Sequence, residues 1–250
     1  MSVPNLLLLA GAGFLAGAMN AAAGGGSFVS FPAMVFAGVP PVYANASSTV
    51  ALFPGSVTSG WAYRELLGGI GDVALPALLA VSVAGGLLGA ALLLATPSGA
   101  FNALVPWLLL LATLAFAFGR QVGVALRRVL HIGRATTLVA QFMLAIYGGY
   151  FGGAVGIMMM AVWGLLGAGD LKQMSATRTV LVGAMNGMAV LYFIAAGAVV
   201  WPQTLAMLFA AALGGYIGAR VAMRLDARWL RAGVIAISSA VTLSFFLRGA

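Results

Sequence analysis

The stretch that decides the fold reads Asn20-Ala-Ala-Ala-Gly24-Gly25-Gly26-Ser27, then Phe31-Pro32, then Asn45-Ala46-Ser47-Ser48-Thr49. Three consecutive glycines, a proline and a run of small hydroxyl and amide side chains interrupt an otherwise apolar region. Glycine in a helix interior costs stability through lost chain entropy, and helix packing rarely needs three in a row. The stretch reads as a break that puts bare backbone and polar atoms where lipid alone has no use for them.

The rest of the chain says where that break lies. Of the 250 residues 63 % are hydrophobic and only 6 % are charged, and the mean hydropathy is +1.10. That leaves too little polar surface to cover a soluble globule, so the chain reads as an all-α polytopic membrane protein. The charged residues fall in a few clusters separated by apolar runs of roughly 20 residues, the length a hydrocarbon core of about 30 Å requires. The net charge of +8 comes mostly from arginines in two short connections. There it acts as a topology signal facing anionic lipid, and nucleic acid is not an expected partner. With no cysteine and a single histidine, His131 in a basic loop, no metal site or cofactor is expected. No basic flank precedes the first apolar run and no cleavage site follows it, so residues from Val3 onward read as a retained membrane segment.

In chain order, the first apolar segment covers residues 3–19, and after the glycine cluster a second covers only 27–38. At about 1.5 Å per residue the second reaches about half a bilayer, which predicts a re-entrant arm. Helices follow over about 42–67, 73–95 and 101–118, and residues 119–134 form a basic loop with Arg120, Arg127, Arg128, His131 and Arg134. The second half opens with a segment broken at Gly148-Gly149-Tyr150-Phe151-Gly152-Gly153 and Gly156. Helices then run over about 170–200, 202–223 and 230–247, with a second basic turn around Arg224.

The halves, 1–118 and 135–250, match each other. An offset of 130 places Ala46-Ser-Ser-Thr49-Val50 on Ala176-Thr-Arg-Thr179-Val180. An offset of 129 places Gly85-Gly86-Leu-Leu-Gly89-Ala90 on Gly214-Gly215-Tyr-Ile-Gly218-Ala219. An offset of 136 places Gly13 and Gly17 on Gly149 and Gly153. Three matches in order at nearly one offset indicate a duplication. Putting the loop around Arg127 and the turn around Arg224 in the cytoplasm places the uncharged connections at Pro40, Pro97 and Trp201 outside. The Pro97 turn is the repeat partner of the basic Arg224 turn, so the repeats are expected to have inverted topology. Each is then a re-entrant glycine-broken hairpin followed by three transmembrane helices, with both termini outside.

Non-helical backbone survives in a bilayer only when buried in protein or lining a wet cavity, and two inverted hairpin tips would meet near the midplane. The candidate substrate site comprises Asn20, Gly24, Gly25, Gly26, Ser27, Ser47, Ser48 and Thr49 from the first half. Thr177, Arg178, Thr179 and Asn186 complete it from the second. The backbone, hydroxyl and arginine groups among these donate hydrogen bonds, and the one formal charge is positive, so the site suits a small anion held by the planar fork of Arg178. No acidic residue lies in an apolar run to hold a cation or relay a proton.

Each residue also has a plainer reading. Gly85 and Gly218 read as packing positions, the hydroxyls as bonded back to their own helices, and Gln141 as interhelical glue. Arg178 reads equally as a side chain snorkelling to the headgroups, and Asp170 as a helix cap. Trp61, Tyr192 and Trp201 read as interfacial anchors, and Met158-Met159-Met160 as apolar filler. An intramembrane enzyme fares badly without a transmembrane His, Asp, Glu or Cys, and a scaffold would leave the paired breaks unexplained.

The chain resembles the sulfite exporter TauE/SafE family of membrane permeases. The resemblance rests on Gly13-Phe-Leu-Ala-Gly17 leading into Gly24-Gly25-Gly26-Ser27-Phe28 and Pro32, on Ala44-Asn45-Ala46-Ser47-Ser48-Thr49, and on Gly149-Tyr150-Phe151-Gly152-Gly153 followed by Asn186. It covers nearly the whole chain. It implies a multi-pass permease of the inner membrane that exports sulfur-containing anions such as sulfite or sulfonates, coupled to a proton or ion gradient. Two features depart from the pattern: the lead Asn20-Ala-Ala-Ala, and Gly156-Ile157-Met158 where the first copy has its triple glycine and proline. A small-anion channel and a permease for another anion, such as a carboxylate, are the alternatives, and the oligomeric state, monomer or homo-oligomer, is open.

Overall fold

A computed structural model of the chain describes residues 3–23, 25–62, 64–126, 133–165, 171–222 and 227–248. Among these residues the fold is all helix, with one isolated bridge between Ile70 and Val73. The helices are α1 (Val3–Ala23), α2 (Ser27–Phe36), α3 (Pro41–Ala62), α4 (Leu75–Ala95), α5 (Ser98–Leu126), α6 (Arg134–Tyr150), α7 (Val155–Leu165), α8 (Leu171–Ala195), α9 (Trp201–Ala222) and α10 (Ala227–Arg248). A 3-10 turn, Arg64–Leu66, follows α3. Gly24, Arg127, Arg128, His131, Asp170 and Arg224, all singled out above, lie outside the described residues, as do the side chains of Trp61 and Arg120.

One boundary and the count of long apolar spans differ from the sequence reading. Helix α5 runs to Leu126, well into the stretch expected as a loop at 119–134. A helix needs apolar side chains only where lipid surrounds it, and a turn or two beyond that depth a basic sequence remains helical. Among the described residues four stretches, Val3–Ala21, Leu75–Ala95, Ser98–Ala115 and Lys172–Ala195, are long and apolar enough to cross a bilayer. The expectation of three spans per half rested on apolar run length and charge placement. In α3 it meets a helix whose apolar run is diluted by Asn45, Ser47 and Ser48, all at most 2 % exposed. They face protein, while Leu7, Leu191, Phe209 and Leu213 stand outward from their helices as a lipid-facing surface would.

Close contacts fix the helix directions. Gly13 meets Met207 and Gly17 meets Ala211, so α1 and α9 run parallel; Gly85 meets Phe142 and Gly89 meets Ile146, so α4 and α6 also run parallel. The assignment of Gly85 and Gly218 to packing holds, since an added Cβ would strike α6 at the first and Ala18 at the second. The helices that the repeat equates run antiparallel where they touch. Gly187 lies on Phe53 and Gly183 near Ser56 in the α3–α8 crossing. In α5 and α10, Thr113 bonds Thr242 at 3.1 Å and Trp107 stacks edge-on against Phe246.

These directions sort the ends of the bundle. The 3-10 turn with Arg64 and Glu65 and the starts of α4, α6 and α8, with Arg134 and Lys172, lie at one end, called here the charged end. The connections around Pro40, Pro97 and Ala198 lie at the other, where they surround a cavity of about 340 Å³.

The two short helices stop partway through. The Asn5 side-chain amide donates to the Ala37 carbonyl, so α2 returns to the level at which α1 began. Its start, Gly26, packs on Ala16 and Leu52, 11 residues or about 17 Å along α3. Helix α1 is itself long enough to cross, so the hairpin has one long and one short arm.

Candidate anion site at the helix breaks

Both breaks leave a helix start inside the bundle, and the first turns of both helices pack against one pair of residues. Val29 of α2 and Ile157 of α7 pack in one cluster with Met19 and Val234, and the Val234 side chain also lies against Gly25. At the second break the chain leaves α6 with Phe151 and Gly152 N–H groups both on the Tyr147 carbonyl. It then passes Gly152 at φ +78° and Ala154 at φ +56°. A left-handed alanine costs about 1 kcal/mol or more, and such strain concentrates at functional sites. The Tyr147 hydroxyl donates to the Gly153 carbonyl at 2.9 Å and holds the turn. Among the described residues no acceptor is found for the N–H groups of Val155 and Gly156, which open α7.

Arg178 is placed against that start. Its Cδ and Nε lie 3.3 and 3.6 Å from where a Cβ on Gly156 would stand, so the side chain crosses from α8 to the first turn of α7. The guanidinium stem is directed at a helix N-terminus within the bundle. The open N–H groups, the positive end of the α7 dipole and a planar cation are groups of the kind that suit an oxyanion.

The other nominated residues divide by what they touch. Ser47 accepts from the Val200 N–H at 2.9 Å, and its repeat partner Thr177 both donates to the Gly68 carbonyl at 3.0 Å and accepts from the Gly68 N–H. Each therefore ties down the connection that leads into the other half's next helix, one at each end of the bundle. Thr49 and Thr179 bond back to the carbonyls of Asn45 and Ser175. Ser48 pairs with Ser30 of α2 at 2.6 Å, buried, while its repeat partner Arg178 reaches α7. The structure thus does not gather the two hydroxyl runs into one site. It leaves Gly25, Gly26, Ser27 and Arg178 near the breaks, with Asn20 against Gly26. Asn186 is two turns from Arg178 on the same face of α8, and its buried Oδ1 has no hydrogen-bond partner among the described residues.

We expect Ser47→Ala and Thr177→Ala each to lower stability by about 1–3 kcal/mol, because each strands a partly buried backbone group. Ligand-induced thermal shifts of the two variants should match those of the parent chain; a lost shift would return these hydroxyls to the site.

Gln141 fulfils its reading as interhelical glue, donating to Ser82 at 2.8 Å. Trp201 is 45 % exposed at the start of α9, in keeping with an interfacial anchor, whereas Met159 is fully buried. One residue of the opening stretch was passed over as a ligand or a joint. Asn45 is buried and donates to the Tyr150 carbonyl at 2.8 Å, across the two halves. An amide inside a membrane segment is the signal that marks it.

A family model described as Sulfite exporter TauE/SafE matches residues 9–245. The chain is 31 % identical over 238 residues to "Probable membrane transporter protein ORF9" of Sinorhizobium sp, covering 93 % of this chain and 88 % of the relative. It is 26 % identical over 229 residues to "Probable membrane transporter protein YfcA" of Escherichia coli (strain K12), covering 91 % and 84 %. A "Probable membrane transporter protein" of Haemophilus influenzae is 26 % identical over 239 residues, covering 95 % and 92 %. No solved structure matches significantly.

Proposed function

Because the chain belongs to the sulfite exporter TauE/SafE family, we propose that it is a secondary transporter exporting small sulfur-containing anions such as sulfite or sulfonates across the inner membrane. The family and these relatives are named as membrane transporters, not enzymes, and the apolar helices belong to a multi-pass membrane protein. The observation that carries the anion reading is Arg178 lying against the open first turn of α7, inside a bundle whose acidic residues all lie outside its apolar runs.

The proposed ligands are Arg178, the N–H groups of Val155 and Gly156, and the backbone at Gly25 and Gly26 with the Ser27 hydroxyl. Asn186 is the next polar group toward the uncharged end. Alternating access follows if the halves are an inverted pair. The antiparallel α3–α8 and α5–α10 contacts support that reading. With the charged end in the cytoplasm, both termini face outward. A carboxylate permease is the second reading, since the same donors accept a planar carboxylate.

The test is a thermal-shift screen of purified protein against sulfite, thiosulfate, sulfonates, sulfate and small carboxylates. A ligand at 100 times its Kd should stabilise the folded state by about 2.7 kcal/mol. Saturable flux with counterflow in proteoliposomes should accompany it, and large unitary currents would replace the transporter with a channel.

A further inference from the structure

We propose that Asn45 is the latch of a gate on the uncharged side, holding shut an aromatic layer between the cavity at that end and the second helix break. The inference rests on the transporter reading above and adds to it the place where the closed pathway opens.

Tyr150, the last residue of α6, is held at both ends. Its carbonyl accepts from the Asn45 amide of α3 at 2.8 Å, and its hydroxyl pairs with Thr96 at 3.2 Å. Thr96 also lines the 340 Å³ cavity, together with Tyr43, Pro97 and Ala198. Around Tyr150 the rings interlock. Phe101 stands edge-on to Tyr150 at 5.8 Å, Phe31 stands edge-on to Phe101 and Phe151, and Phe245 stacks on Phe31 at 5.9 Å. These side chains come from α2, α5, α6 and α10, so the layer spans both halves. Beyond it along the chain come Gly152, Val155 and Gly156, against which Arg178 lies.

The layer has a built-in pivot. Gly152, two residues beyond Tyr150, sits at φ +78°, where backbone rotation meets no Cβ. Swinging Tyr150 and Phe151 aside exposes the start of α7 to the cavity; besides the Phe151 and Gly152 N–H bonds to the Tyr147 carbonyl within the turn, the bonds to be broken across the halves are those of Asn45 and Thr96. Both bonds cross the halves; Asn45 is the one that grips backbone, and it is 2 % exposed, so no water competes for its amide. At the repeat-equivalent position stands Ser175, and no hydrogen bond from its side chain to the first break is found among the described residues. The latch belongs to one side of the molecule.

The chain has no cysteine, so Val155→Cys provides a single thiol behind the layer, at a residue 2 % exposed. The measurement is the rate at which a membrane-impermeant maleimide modifies it, in vesicles of known orientation, from each face. Adding Asn45→Ala should raise the rate from the uncharged side about tenfold, the change expected for one buried hydrogen bond, and leave the rate from the charged side as it was. Asn45→Gln, which keeps a donor amide, should restore part of the protection. If Asn45→Ala does not fold, Asn45→Ser carries the same comparison. An unchanged rate, or an equal rise from both faces with a lower melting temperature, would overturn the latch and leave Asn45 a structural residue. Labelling needs no substrate. Sided labelling without flux of any anion would sink the transporter reading alone, and normal flux with unaltered labelling would sink the gate alone.

Discussion

Replacing Arg178 with glutamine is expected to weaken binding of the transported oxyanion about 100-fold and to stop saturable flux at concentrations that suffice for the parent chain. Hydrogen bonds to charged groups contribute about 1.5–3 kcal/mol each, and roughly 1.4 kcal/mol is a factor of ten. Glutamine retains two donors and much of the length, so the change isolates the charge and the planar fork. Arg178→Lys should recover part of the affinity by supplying a point charge without the paired geometry. Both variants should fold, because Arg178 meets α7 at a glycine and the substitutions remove atoms from that contact. Titration calorimetry or thermal shift with the best anion of the screen reads the result. Unchanged affinity in Arg178→Gln would return the arginine to the headgroup role and remove the site from the α7 start.

The second large effect is on assembly. Gly17→Val is expected to abolish the folded protein, with a cost above about 4 kcal/mol, the range reserved for overpacked or broken cores. A Cβ on Gly17 would overlap the carbonyl of Ala211, backbone against backbone, so no side chain can move to admit it. The same seam carries Gly13 on Met207, and Phe14 and Ala18 meet Gly214 and Gly218 from the other side. Gly11→Ala, on the same helix with nothing within 4 Å, should change stability by no more than about 0.5 kcal/mol. Monodisperse yield after detergent extraction and the melting temperature measure both. If Gly17→Val folded normally, the parallel α1–α9 packing would be wrong, and with it the directions derived for the other helices.

That seam shows what kind of information a sequence holds for a membrane fold. Close approach of two helices requires small residues on both, so Gly13, Gly17, Gly214 and Gly218 announce a contact before the partner is known. The breaks were equally legible, since glycines in a row cannot continue a helix cheaply. The match of Ala46-Ser-Ser-Thr49 with Ala176-Thr-Arg-Thr179 marked the same place in both halves. Its meaning was not legible. Ser47 and Thr177 read as ligands because a hydroxyl in an apolar helix must bond something. The sequence does not say that the something is the N–H of Val200 or the backbone of Gly68, more than a hundred residues away.

The amino-acid sequence by itself determined the solvent, the breaks and the family, and it offered the internal matches from which a duplication is read, because hydropathy, glycine runs and internal matches are properties of the chain read in one dimension. Only the tertiary structure decided which backbone each polar group lies beside. In a membrane interior every donor and acceptor seeks a partner, and the choice depends on which broken backbone lies at the same depth. Packing set Ser47 and Thr177 beside the connections and Asn45 beside Tyr150. It set Arg178 beside Gly156 at the start of α7.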